Sequence, residues 1–247
     1  MSATPVVTSP SAHTARPDRP LFVGALILVL VVVFAGFAPT FYLKGWFGAA
    51  PLSNLLFVHG LVMSAWLALF IAQVALVEFG RADLHRRLGV AGAGVAILVV
   101  VVGVAAALDA GRRGFSPAPH VTPQMFLAIP LADMVVFALL VGSALALRRQ
   151  SATHKRLMLL ATVGMLTPAV ARLPIDALKQ AGLPAFFAVM IACVILVVAI
   201  DTVRHRRLHP AFGWGAALLV AAVPARIAFA QSDAWLAMAN WLIAHVR

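Results

Sequence analysis

Seven apolar stretches, each close to the ~20 residues a helix needs to cross a bilayer, leave this chain little choice of fold. They cover 21–38, 52–79, 88–108, 126–147, 157–173, 184–203 and 211–231 of the 247 residues. Apolar residues make up 63% of the chain and charged residues 11%, against roughly 25% charged in an average soluble domain. A soluble fold could not cover so much apolar surface, and a membrane β-barrel would alternate apolar with polar residues rather than run them together. The pattern predicts an all-α, polytopic transmembrane helical bundle of about seven spans, closed by a short C-terminal interfacial helix. Residues 234–246 are too short for a comfortable crossing, and Trp235 and Trp241 suit an interfacial anchor there.

Three regions follow. Residues 1–20, rich in Ser, Thr, Pro and Ala, predict a disordered tail; 21–231 form one transmembrane domain; 232–247 form the interfacial helix. The first apolar run is long for a signal-peptide core and has no clean small-residue cleavage site behind it, so it is expected to stay as a helix.

The net charge of +11 raises the question of nucleic acid, but the basic residues are scattered through short loops. Of the 19 Lys and Arg, 12 fall in the tail and in the second, fourth and sixth loops. The other seven (Lys44, Arg112, Arg113, Arg172, Lys179, Arg226 and Arg247) fall on the opposite side. The positive-inside rule therefore puts the N-terminus in the cytoplasm and the C-terminal helix outside. The charge serves topology, and its partner is a bilayer with anionic headgroups rather than nucleic acid. The single cysteine, Cys193, lies inside the sixth span and supports neither a disulfide framework nor a Cys-rich metal site.

A short motif recurs where apolar runs begin: His85-Arg86-Arg87-Leu88, His154-Lys155-Arg156-Leu157 and His205-Arg206-Arg207-Leu208. Its spacings of 69 and 51 residues are too unequal for a strict repeat, but each copy lies at the inner turn of a hairpin of spans. His85, His154 and either His205 or His209 stand at comparable depth on different helices, which makes them metal-ligand candidates, since neutral imidazole binds iron, copper or zinc. The competing role is interfacial anchoring, because the neighbouring Arg and Lys supply no carboxylate or carbonyl to orient a ligand. Asp201 with His205, at i and i+4, suits a helix-end pair.

A second constellation lies in the outer half. His59 and Asp133 each stand seven residues into a span that starts outside, roughly 10 Å deep at ~1.5 Å per residue. Arg226 is roughly 8 Å deep on the same count, and Arg172 closes the fifth span on that side. Pro130, Pro168 and Pro224 each precede one of these charges by a turn or so, and a proline frees a carbonyl at a depth where irregular backbone needs protein or water around it. The pattern predicts an outward-facing polar pocket formed by His59, Asp133, Arg172 and Arg226, lined by Thr167 with Asp176 at its mouth. Two arginines suit an anion or acid; a His with an Asp suits a proton relay. The structural alternative is an Asp133–Arg226 ion pair, with His59 bonded to a backbone carbonyl and Arg172 reaching the headgroups.

The segments HGLVMSAWLALFIAQ (59–73), LHRRLG (84–89), THKRLMLLAT (153–162) and RLHPAFGWG (207–215) resemble uncharacterised bacterial multi-pass membrane proteins with HR-x-LG and H-[KR]-R-L-M helix starts. The resemblance covers helices two to seven. It implies a bacterial inner-membrane location and, through similar His-bearing families linked to respiratory oxidase assembly, a respiratory-complex partner or a second copy of the chain. A further likeness, to transmembrane b-type cytochromes, rests on histidines alone and implies haem b or a metal ion as cofactor. No serine triad, P-loop, Rossmann fingerprint or zinc-protease motif is present, so no enzyme class is assigned. The functional expectation is an integral membrane protein whose outward pocket binds or relays a small ligand, proton or electron carrier, in association with haem. The alternatives are a non-catalytic assembly or scaffold protein and a small-molecule transporter.

Overall fold

A computed structural model describes residues 19–117 and 120–245, and within them every regular element is helical. Most of the predicted tail lies outside the described residues. The helices are α1 (Arg19–Phe37), α2 (Asn54–Glu78), α3 (Ala82–Arg112), α4 (Pro123–Ala146), α5 (Ser151–Gly164), α6 (Thr167–Val170), α7 (Asp176–His205), α8 (Pro210–Ala230) and α9 (Asp233–His245); a π-helical turn, Ala38–Tyr42, follows α1. The chain is a transmembrane helical bundle. Its outward faces expose Val31, Leu61, Ile97, Val101, Val135 and Ile195, side chains that only lipid would solvate well.

Six helices, rather than the seven expected, are long and apolar enough to cross a membrane. The predicted fifth span is broken: α5 stops at Gly164 and α6 is a single turn. Pro168 explains the break, because it lacks the N–H that would bond the Gly164 carbonyl and its ring would press on that carbonyl. The chain tightens through the gap, with Met165 and Leu166 N–H groups bonding three residues back to Thr162 and Val163. The other prolines act differently. α4 and α8 run on through Pro130 and Pro224, whereas α7 bends at Gly182, whose φ of 65° only glycine adopts readily, two residues before Pro184.

The broken segment is also the centre of the molecule. Leu157, Leu159, Leu160 and Val163 of α5 are fully buried, packed with Val29, Leu140, Met190, Val194 and Phe212 from α1, α4, α7 and α8. α6 lies so close to α1 that the Ala169 backbone leaves no room for a Cβ at Gly36. At the far end α9, too short to span, docks on the bundle. Trp235, expected as an interfacial anchor, is buried instead, and its indole N–H donates to the Gln124 carbonyl at 2.8 Å. Trp241 is exposed, as an anchor needs to be.

Candidate functional site

Three arginines adopt one pose. Arg156, Arg172 and Arg226 each fold a guanidinium N–H back to the carbonyl four residues earlier, on Ala152, Pro168 and Ala222. Each lies over a phenylalanine from another helix or its edge, 5.6 Å from Phe212, 4.9 Å from Phe37 and 5.1 Å from Phe187 respectively. The ring and the carbonyl together hold a charge that bare hydrocarbon would not tolerate. Two of the three also find a carboxylate on a different helix.

At one end of the bundle, Arg226 of α8 forms a direct ion pair with Asp133 of α4. The cavity touching Asp133, lined by Phe137, Gly164, Met165 and Leu219, measures about 10 Å³, room for roughly one water molecule. His59 is not a partner of Asp133. It lies against the backbone of Val102 in α3, within electrostatic reach of Arg172, and its Nδ1 is buried without a protein hydrogen bond. Arg172 has no carboxylate partner among the described residues. Of the quartet expected from the sequence, the structure therefore joins Asp133 to Arg226 and sets His59 and Arg172 elsewhere, while Asp176 pairs with Lys179 at 3.7 Å.

At the other end of the bundle, Arg156 makes a bidentate pair with Asp201 of α7, through Nε at 3.0 Å and Nη2 at 2.7 Å. Both residues are buried, at 3% and 0% exposure. This pair was not visible in the sequence, where Arg156 counted as a loop charge and Asp201 as the partner of His205. The residues stand 45 positions apart, and only the packing of α5 against α7 brings them together. His205 remains close, 3.4 Å from the Asp201 carboxylate, with its Nδ1 at 2.9 Å from the Asp201 carbonyl.

The histidine motifs diverge in the same region. His85, in the first turn of α3, places Nδ1 3.4 Å from the Gln73 carbonyl near the end of α2. His154, in the first turn of α5, places Nδ1 2.8 Å from the Ala144 carbonyl near the end of α4. Each histidine thus folds back onto the preceding helix of its own hairpin. The Ala144 carbonyl is open to it because the chain beyond α4 tightens, the Arg148 N–H bonding Leu145 instead. A carbonyl only accepts, so Nδ1–H is the donor on both rings, and in a neutral imidazole Nε2 is then the nitrogen left with a lone pair. The ring centres are 6.3 Å apart with perpendicular planes. Beside them the buried Gln73 Oε1 lacks a protein partner, its side-chain amide lying next to Gly89 about two turns into α3.

Comparison with known protein families, curated proteins and solved structures gives no match for this chain.

His209, the third metal candidate, is not brought to this pair. It caps α8, its Nδ1 accepting the Ala211 N–H at 3.2 Å. No group of three or more His, Cys, Asp or Glu able to hold a metal ion occurs among the described residues. Burial, then the Arg156 guanidinium, hold the His209 imidazole below its usual range, outweighing Asp201. A depressed folded value means that the cap stabilises fully above the unfolded imidazole value and is lost as pH falls through the folded one. Acidification from neutrality to about pH 5 is therefore expected to lower the protection factors of amides in the first turn of α8, each rate being compared with its intrinsic rate at the same pH, an effect that His209→Asn, still a good N-cap, should remove. Protection factors that do not change with pH in either protein would refute this role.

Proposed function

We propose that this protein is a membrane-embedded haem-binding electron-transfer protein in which His85 and His154 would hold one haem b. The observation that carries the reading is the geometry of the two rings. An imidazole bound through a ring nitrogen at ~2.0–2.1 Å has its centre roughly 3.1–3.2 Å from the metal, so two rings that share one ion have centres no more than roughly 6.3 Å apart. The 6.3 Å between the two ring centres is compatible with a shared ion. Each Nδ1–H donates to a backbone carbonyl, which fixes the tautomer and raises the basicity of Nε2, as ligand histidines require. Arg86 and Arg87, exposed in the same turn as His85, suit the two propionates, and Gln73 offers a buried polar atom beside the pair.

When bound, haem iron supplies one-electron redox chemistry whose potential its axial ligands set. The chain's contribution is orientation: α2 and α4 aim the imidazoles, and the Arg156–Asp201 pair clamps the helix that carries His154. The charge distribution supports a bacterial inner membrane with the histidine end on the cytoplasmic side, where a respiratory complex or a second copy of the chain would exchange electrons. The outer-half ion pair ties α4 to α8 in this reading, with His59 and Arg172 lining that side. The rival, a non-catalytic scaffold, draws on the two cross-helix ion pairs and the one-water cavity at Asp133.

A visible spectrum of the detergent-purified protein from haem-replete cells, oxidised and then dithionite-reduced, separates them. The expected result is a Soret band with a reducible α-band, abolished by His85→Ala and by His154→Ala but retained by His209→Ala. A colourless wild-type protein, or a double His85→Ala/His154→Ala variant with an unchanged spectrum, would overturn the proposal.

A further inference from the structure

A groove of about 290 Å³ follows the seam between α1 and α7, apart from every residue used above. Its walls are Pro20, Leu21, Gly24, Ala25 and Leu28 on one side and Leu196, Val197, Ile200 and Arg204 on the other. The two helices run antiparallel there, so Pro20 stands level with Arg204, Gly24 with Ile200 and Leu28 with Leu196. Eight residues of helix give the groove a length of roughly 12 Å, most of the roughly 15 Å that one leaflet contributes to the hydrocarbon core.

The walls are apolar for all but the last turn. Gly24 opens the middle, since a Cβ built there meets nothing within 4 Å. The end is cationic: Arg204 is exposed and has no carboxylate partner among the described residues, while the neighbouring Arg19 is taken by Glu78 at 3.2 Å. An apolar slot most of a leaflet long, ending in a guanidinium, is complementary to a chain with an anionic head.

We infer that this groove is a binding site for one anionic phospholipid, an acyl chain lying between α1 and α7 and its phosphate on Arg204. A neutral lipid fills the slot but leaves Arg204 without its counter-charge, so the site selects by headgroup. It does not depend on the haem reading, and its occupant would brace α1 against α7 without touching the histidines.

The test uses the full chain in detergent, titrated with phosphatidylglycerol or with phosphatidylcholine of the same acyl chains. Native mass spectrometry counts retained lipid, and thermal unfolding reads stabilisation. The wild type is expected to retain one phosphatidylglycerol and to unfold at higher temperature with it than with phosphatidylcholine. Gly24→Leu puts a side chain into the groove at a position where a Cβ meets nothing within 4 Å, and leucine favours helix, so its helical content should be unchanged while the retained lipid is lost. Arg204→Gln should weaken phosphatidylglycerol about fivefold, the effect of one basic residue at an anionic headgroup, and bring the two lipids level. Equal stabilisation of the wild type by both lipids, an undiminished phosphatidylglycerol effect in Gly24→Leu, or protection by a lipid-soluble quinone but not by phosphatidylglycerol would each overturn the assignment.

Discussion

Replacing Asp201 with alanine is expected to cost about 3–5 kcal/mol of stability, because it strands a buried guanidinium rather than simply deleting a contact. Arg156 is 3% exposed and both of its carboxylate bonds go to Asp201, so it cannot turn to water when that partner is removed. In detergent the midpoint of thermal unfolding should fall by roughly 10 °C, taking a few degrees per kcal/mol for a chain of this size. Exchanging both partners for apolar residues, Arg156→Met with Asp201→Leu, should recover most of the loss, since the desolvation of two charges disappears with them. A single Asp201→Ala protein that unfolds at the wild-type temperature would show that the pair carries no such weight. The position also bears on function. His154 lies two residues before Arg156 in α5, so loosening the clamp should disturb the proposed ligand's alignment and shift its spectrum before the fold is lost.

Asp133→Ala should be costly for a related reason in a different place. It leaves Arg226, buried in α8, without its counter-charge inside a membrane-spanning helix, where an unpaired arginine costs up to about 2.5–3.5 kcal/mol on insertion scales. The remaining contacts of Arg226, the Ala222 carbonyl and the Phe187 ring, soften that cost without supplying a negative charge. Asp133→Asn, which keeps a hydrogen-bond acceptor in place, should lose less. With an adjoining cavity of roughly one water, the pair is expected to act as a tie between α4 and α8, and the Asp133→Ala protein should then keep the wild-type visible spectrum at temperatures below its unfolding. A spectrum or a ligand affinity that changes while stability does not would instead make Asp133 part of a working site.

Individual residues show how far a sequence of this kind can be read. Pro168 announces a disruption of the fifth segment, and α5 ends four residues before it, because the clash and the missing N–H are local events. The three His-Arg motifs look equivalent as text, yet only His85 and His154 do the same job. Each opens the second helix of a hairpin and reaches a carbonyl 12 or 10 residues upstream. His205 sits at the end of a helix and bonds within it, while His209 becomes a cap. The orienting carbonyls that the motif lacks in sequence come from α2 and α4. Counting residues from the ends of their spans gives His59 and Asp133 one depth, but depth says nothing about rotation, and their side chains turn to different neighbours.

The sequence by itself determined that the chain is helical and that it crosses a membrane several times, because length and hydrophobicity are properties of contiguous residues. The tertiary structure alone decided which polar groups meet: Arg156 with Asp201, Arg226 with Asp133, and the rings of His85 and His154. The reason is that a helix apolar on every side has no amphipathic stripe to distinguish its inward from its outward face. Its rotation is then fixed by close packing against neighbours, such as α6 on Gly36 or α5 among four other helices, and that information is not contiguous in the chain.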